Sequence, residues 1–316
     1  MRITRRQVVF SVAATSIAAG AGLLIVNGDA EPGFVWRGAA LGGEARVSLY
    51  GADRAAAEAA LRAVAAEIER LENIFSLYRE SSELSRLNRH GLLESPARDL
   101  VEVMRSAVYW RQLTDGAFDP TVQPLWQAAA AGTAPAPEAM ARVGTPIDIV
   151  PECISLAPGA QVTLNGIAQG RIADRVTEIL VGHGFVDVVI DAGELRLPGR
   201  TRRAVGIPAA KVAVTVAEVA IATSEPKSQV FDAKSFRHHL IDPRTGESPR
   251  HWQSISVFAP TAEAADALST AFAVMPHDRV ADLVARFGDT AVIGADWGGR
   301  IRRFGNQRLA GGTTPV

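Results

Sequence analysis

Apolar residues recur along this chain at two spacings, and the switch between them separates helices from strands. From 53 to 78, DRAAAEAALRAVAAEIERLENIFSLY places Leu61, Val64, Ala65, Ile68 and Leu71 three or four apart, the period of one helical face. SSELSRLN (81–88) predicts a short helix capped by Ser81 or Ser82. Pro96 reads as just inside the next helix, ARDLVEVMRSAVYWRQLT, which Gly116 stops. Alternation takes over in ARVSLYG (45–51), after an LGG (41–43) that makes a turn or brings backbone close to a neighbour. IDIV (147–150) and CISL (153–156) read as a strand pair, VTLN (162–165) as a strand, and NGIAQG (165–170) as a glycine-punctuated turn. RIADRVTEILVGHG (171–184) is then a helix capped at Gly182 or Gly184. VDVVIDAGELRLPG (186–199) is a buried strand running into a turn, and VAVTVAEVAIATS (212–224) a further strand pair. Late in the chain RVADLVARFG (279–288) is an amphipathic helix, TAVIGAD (290–296) a strand and GGRIRRFGN (298–306) a hairpin edge. Antiparallel pairs interleaved with single helices predict an α+β fold of mixed or antiparallel sheets flanked by helices.

Two stretches stay outside both periods. Gly116, Pro120 and Pro124 keep GAFDPTVQPLW (116–126) irregular, and its Phe118, Leu125 and Trp126 suit either a lining for a flat ligand or a plug for the core. AAAAGTAPAPEA (128–139), small and Pro-rich, reads as a mobile linker or a surface loop. The chain has 316 residues, 47% of them apolar, and a net charge of −1. That allows one large or two modest domains and gives no electrostatic case for nucleic acid as a partner. Cys153 is the one cysteine, so no internal disulfide can form, and a buried apolar role is expected for it. No G-x-G-x-x-G follows a strand and no G-x-x-x-x-G-K occurs, so the ordinary dinucleotide and P-loop fingerprints are missing.

Arg2, Arg5 and Arg6 precede an uncharged run from Gln7 to Val26, and TRRQVVF resembles a twin-arginine export signal. Gly28-Asp29-Ala30 leaves small residues where a signal peptidase reads. The expectation is a periplasmic protein in which 1–30 is the signal, cleaved or kept as a membrane anchor. Residues 31–310 then form the working domain and 311–316 a frayed tail.

Chemistry concentrates in 238–270. His238 and His239 precede a turn in which Pro243 presets φ, Asp242 bonds its own downstream backbone and Gly246 tolerates positive φ. SISVFAP (254–260) is a strand, and Thr261 starts the helix AEAADALSTAFAVM. Asp266 and Thr270, four apart, share one helical face, so an acid and a hydroxyl can reach a common point and hold a hard cation. Taken singly, each of these features is more often structural than functional.

Combination and order change that weighting. FSLYRESSELSRLN, GAFDPTVQPLW, LNGIAQGRIADRV, AIATS, HHLIDPRTG and APTAEAADALSTAF follow one another as they do in the FAD:protein FMN transferases, the ApbE-type flavin transferases, and the chain resembles that family over about residues 36–300. WRGAALG, LNGIAQG and the ATSEP-to-HHLIDPRTG stretch resemble the branch associated with nitrous-oxide respiration. The resemblance implies an α+β fold with FAD in a cleft between two subdomains, Mg2+ as cofactor, and transfer of FMN to a Thr or Ser of a flavoprotein at the inner membrane.

Carried over by motif, Leu41, Tyr78, Ala117, Phe118, Asp119, Thr163 and Gln169 match FAD-contacting positions. Gly166 offers a backbone carbonyl to Mg2+, with Asp266 and Thr270 supplying side-chain oxygens. His239 matches the histidine nearest the chemistry and is the natural base near neutral pH; His238 either shares that role or only packs. Arg244 and Lys234 are candidates for the phosphates. The chain departs from the family pattern at Gln169, where many members carry Lys or Glu, and at Thr163, where Asp is common. Asp191-Ala192-Gly193-Glu194 and Ser224-Glu225 each lack a glycine that many relatives have there. Two rival activities use the same site: hydrolysis of FAD to FMN and AMP, and non-catalytic flavin binding.

Overall fold

The computed structural model describes residues 24–25, 32–51 and 53–315, so the expected export signal, Leu24 and Ile25 apart, lies outside the described residues. Eight strands build the main sheet: β1 (Phe34–Ala40), β2 (Gly43–Leu49), β3 (Val188–Asp191), β4 (Leu195–Leu197), β5 (Val219–Ser224), β6 (Ser254–Ala259), β7 (Ala291–Ala295) and β8 (Ile301–Gly305). They lie side by side in chain order, and every neighbouring pair is antiparallel. Between β2 and β3 come α1 (Arg54–Phe75), α2 (Glu83–His90), α3 (Arg98–Leu113), α4 (Gln123–Ala130), α5 (Pro137–Met140) and α6 (Ala168–Gly182). Among them Leu92–Glu94, Ile147–Val150 and Cys153–Leu156 form a small sheet of their own. Between β6 and β7 come α7 (Ala262–Ala273) and α8 (His277–Val284). This is the α+β architecture of antiparallel sheets and helices that the two spacings predict.

The main sheet is covered on both sides, and strand alternation decides which residue goes where. Ile190, Ala220, Ala222, Ile255, Val257 and Val292 face the helices. Val189, Leu195, Ile221, Phe258 and Ile293 face a second sheet through its Val205, Ile207, Val214 and Val216. That second sheet is inserted between β4 and β5 as Arg203–Ile207 and Val212–Val216, flanked by Leu24–Ile25 and Gly312–Pro315. Since β6 is central and sandwiched, all six of its residues are buried.

Several expectations change. VTLN makes no strand: the Asn88 side chain satisfies both the amide and the carbonyl of Val162 (2.7 and 2.8 Å), and the Thr163 amide donates to the Pro120 carbonyl (2.7 Å), so the segment has no need of a partner strand. NGIAQG is a turn only as far as Ile167; Gln169 and Gly170 belong to the first turn of α6. The two strands of 212–224 do not pair, because Glu218 at φ 51° sends the second into the main sheet while the first stays in the second. GAFDPTVQPLW is largely helical: Pro120–Val122 is a 3-10 turn, and α4 tolerates Pro124 in its first turn, where the missing N–H has no partner to lose. Pro96 stands outside α3, whose N-cap is Ala97. The tail is not frayed over Gly312–Pro315, which pairs with Val212–Thr215. Cys153 is half-buried on a strand of the small sheet.

Candidate active site

Two helices clasp each other at their N-terminal ends. Asp266 of α7 accepts the Gly170 amide from the first turn of α6 (3.1 Å). One turn further along α6, Asp174 accepts the Ala262 and Glu263 amides that open α7 (both 2.9 Å). Each carboxylate thus meets orphan N–H groups at the positive end of the other helix. The approach is close enough that Gly170 has no room for a Cβ against the Ala262 carbonyl. On the same face of α7, one turn after Asp266, Thr270 meets the loop before α6: a Cβ on Gly166 would stand 2.7 Å from Thr270 Oγ1. Asp266, Thr270 and Gly166, expected to share a cation, therefore do converge.

The corner gathers more acidic groups than its hydrogen bonds can keep ionised. Asp266 is 3% exposed, and burial pushes its carboxyl up to about 8 despite the Gly170 amide. Glu194, in the turn between β3 and β4, is also buried and its Oε2 has no hydrogen-bond partner. Its carboxyl is held well above the usual range by burial first and then by the charges of Asp266 and Asp191. Its donors are hard oxygens, so the residues present fit the Mg2+ that the family resemblance implies. Among the described residues no three His, Cys, Asp or Glu side chains cluster to hold a metal, so a cation here depends on the carbonyl and the hydroxyl as well.

Beside this corner lies the hairpin turn of β1 and β2. Leu41 adopts φ 52°, and its amide donates to Glu72 Oε1 (2.7 Å). Tyr78, 60% exposed, packs against Gly42. Gln169 reaches between this turn and the β3–β4 turn: its Nε2 lies 3.4 Å from the Ala40 carbonyl, and a Cβ on Gly193 would meet it at 2.5 Å. Gly193, at φ 97°, is thus required twice over, by its backbone and by its neighbour.

His239 sits on the segment between β5 and β6, after a short hairpin of Val230–Asp232 with Arg237–His238. Its Nδ1 is 3.2 Å from the Gln229 carbonyl. A carbonyl only accepts, so Nδ1 carries the proton and Nε2 keeps a lone pair. That lone pair faces Ser228 Oγ at 3.5 Å, whose own hydrogen goes to the Glu225 carbonyl (2.8 Å). Burial pushes His239 down to about 4, so it is neutral at physiological pH. His238 is committed to structure: its Nε2 donates to the Pro249 carbonyl (3.0 Å), and its ring packs edge-on against Phe236. The two halves of the site are linked through the end of β5, where Ser224 Oγ bonds Ser269 Oγ (2.9 Å), the residue before Thr270, and Ser228 follows four residues on.

Ala117, Phe118 and Asp119 occupy a neighbouring region. Ala117 and Phe118 are buried. Asp119 Oδ1 accepts both the amide and the hydroxyl of Thr121 (2.8 and 2.6 Å), while Oδ2 faces Arg111 Nε at 3.1 Å. Asp119, Arg111, Gly144, Pro243 and Arg244 line a cleft of about 530 Å3, within the ~300–1,000 Å3 range of small-molecule sites. Arg244 reaches the cleft but is already paired with Asp242 through Nε and Nη2 (2.8 and 2.7 Å), whereas Lys234 is exposed on the hairpin turn. Thr163 ties this region to the Asp266 corner, since its amide bonds Pro120 and its chain continues directly into Gly166.

Residues 41–293 match the ApbE family. The chain belongs to the ApbE family. It is 31% identical over 242 residues to the FAD:protein FMN transferase of Vibrio cholerae, covering 67% of this chain and 72% of that protein. It is 29% identical over 288 residues to the FAD:protein FMN transferase of Treponema pallidum, covering 77% and 78%. An ApbE protein from Thermotoga maritima superposes with a TM-score of 0.74 at 27% identity, covering 87% of this chain and 97% of that one. The apo form of the Pseudomonas stutzeri flavinyl transferase ApbE superposes at 0.76 and 24% identity, covering 88% and 97%, a likeness of fold.

In this ApbE chain Asp266, Thr270, Gly166, Gln169, Leu41 and Tyr78 lie in one neighbourhood. Motif reading passed over Asp174, whose cap joins α6 to α7, and Ser228, which faces His239. Nothing local to the sequence places Glu194 near Asp266.

Proposed function

We propose that this chain is an exported, Mg2+-dependent FAD:protein FMN transferase that attaches FMN through a phosphoester to a Thr or Ser of a membrane-associated flavoprotein, within the branch linked to nitrous-oxide respiration. The observation that carries the chemistry is the buried Asp266 corner, uncompensated by its own hydrogen bonds, in a chain of the ApbE family. The twin-arginine pattern at the N-terminus supports export, and WRGAALG with LNGIAQG supports the branch.

The acceptor hydroxyl oxygen bonds to the FMN-side phosphorus of FAD, the bridging P–O bond breaks, and AMP leaves with the bridging oxygen. The hydroxyl proton goes to His239 Nε2, which the Gln229 carbonyl has fixed as the unprotonated nitrogen. Gly166, Asp266 and Thr270 would hold Mg2+, which neutralises charge on the pyrophosphate. Tyr78 and the Leu41–Gly42 turn offer an exposed aromatic surface to the isoalloxazine ring, and Gln169 offers an uncharged amide beside it.

The test is incubation with FAD, Mg2+ and a candidate acceptor flavoprotein, followed by mass spectrometry of the intact acceptor. A gain of one FMN, with AMP released, is expected. Free FMN and AMP without any gain on the acceptor would establish hydrolysis instead and sink the transferase reading.

A further inference from the structure

Glu194 lies on the wrong side of the sheet for a surface carboxylate. Leu195 and Leu197 of β4 face the second sheet, so the residues alternating with them point to the helices. Arg196 does so visibly, its Nε standing 3.6 Å from Asp174 of α6. Glu194, two residues earlier, faces the same way, and the charge acting on it most strongly is that of Asp266. It is 7% exposed, and Oε2 has no donor within reach. The described residues around it supply other acids, Asp191 and Asp266, and no Lys or Arg pairs with it. One backbone hydrogen bond, to Thr223, is all that holds this carboxylate, and it leaves Oε2 buried and unsatisfied.

We infer that Glu194 supplies a second carboxylate to the cation site, so that this chain holds its divalent ion with Asp266 and Glu194 together. The inference rests on the Mg2+ reading of the Asp266 corner and deepens it. Two carboxylates, one hydroxyl and one backbone carbonyl make an all-oxygen set suited to a hard divalent cation. They also explain why a second buried acid is accepted near Asp266: the second negative charge matches the second positive charge of the ion.

The experiment is titration of the full-length, FAD-free protein with Mn2+, followed by electron paramagnetic resonance of the free ion, for wild type, Glu194→Gln and Glu194→Gly. Glu194→Gln keeps shape and removes charge; Glu194→Gly removes the side chain and keeps a folded variant available if the amide packs badly. Thermal melting with and without Mn2+ gives a second readout. We expect Mn2+ affinity to fall about tenfold or more in both variants, and the Mn2+-induced rise in Tm to shrink with it. Unchanged or tighter binding in the variants, beside a wild type that binds, overturns the role of Glu194 and leaves the transferase reading standing; it would mean that the two acids share a proton. A wild type that binds no Mn2+ overturns the cation site altogether, and with it this inference.

Discussion

Asp266 and His239 are pushed to neutrality by the same force in opposite directions. Asp266 stands on a helix packed into the core, with a backbone amide and two acids for company. His239 stands on irregular chain between a short hairpin and a turn, held by the Gln229 carbonyl and faced by a hydroxyl. Loss of water disfavours the charged form of either group, so the acid rises to about 8 and the base falls to about 4. For the histidine the outcome is useful directly, since a neutral ring can take a proton. For the carboxyl, the proposed cation would restore the charge that burial suppresses.

The sharpest way to break this contrast is to remove the acid. Asp266→Ala should abolish Mg2+ binding measured by calorimetry and lower transfer by roughly three orders of magnitude, the scale of losing a main electrostatic stabiliser; Mg2+-dependent transfer close to wild type would contradict the cation role. His239→Ala should slow transfer by ~10²–10⁴ while leaving FAD affinity nearly unchanged, as befits a proton acceptor. In the wild type the acid limb of kcat/KM should lie near pH 4 rather than the ordinary histidine range. His238→Ala should instead lower thermal stability and spare the rate per folded molecule, since its ring is spent on Pro249 and Phe236.

Without metal, stability should vary with pH. A carboxyl whose folded value is raised contributes stability that is complete at low pH and lost as pH climbs through about 8. A histidine whose folded value is depressed contributes stability that is present above ~6.5 and lost as pH falls through about 4. Between ~6.5 and ~8 only the acid side changes, with Glu194 acting in the same direction as Asp266. Urea unfolding in EDTA should therefore show a loss across that window to which Asp266 alone contributes up to ~2 kcal/mol. Asp266→Asn, or saturating Mg2+, should flatten the slope; a slope untouched by either would show that burial of Asp266 is not its cause. The smallest effect is expected at Tyr78→Ala, which should weaken FAD by ~0.5–1.5 kcal/mol and leave Tm unchanged, because the ring is mostly in solvent and its loss opens no cavity.

Helices were the legible part of this chain. The period of α1, the Ser82 cap of α2 and the Thr261 cap of α7 are local signals, and the folded protein keeps them. Strands were legible as strands, yet their pairing was not: 212–224 looks like a hairpin and instead serves two sheets, because a single αL residue at Glu218 redirects the chain. VTLN has strand composition and no strand, since one asparagine seventy-four residues upstream already satisfies Val162. In the site, Asp266 and Thr270 could be paired from their spacing alone. Asp174 and Ser228 could not, because their partners lie on other elements.

By itself the sequence determined which residues carry oxygen donors at helical spacing, which glycines and prolines punctuate the chain, and which ordered set of motifs marks the family. Only the tertiary structure decided which histidine is free and which is packed, since that depends on carbonyls of Gln229 and Pro249 reaching two adjacent rings. It also decided that Glu194 is buried on the helix side of the sheet, near enough to Asp266 for the two charges to act on each other, a placement set by strand alternation beneath a pair of helices. Local signals set the periodicity of each element, while desolvation and charge act through space between elements that the chain brings together only on folding.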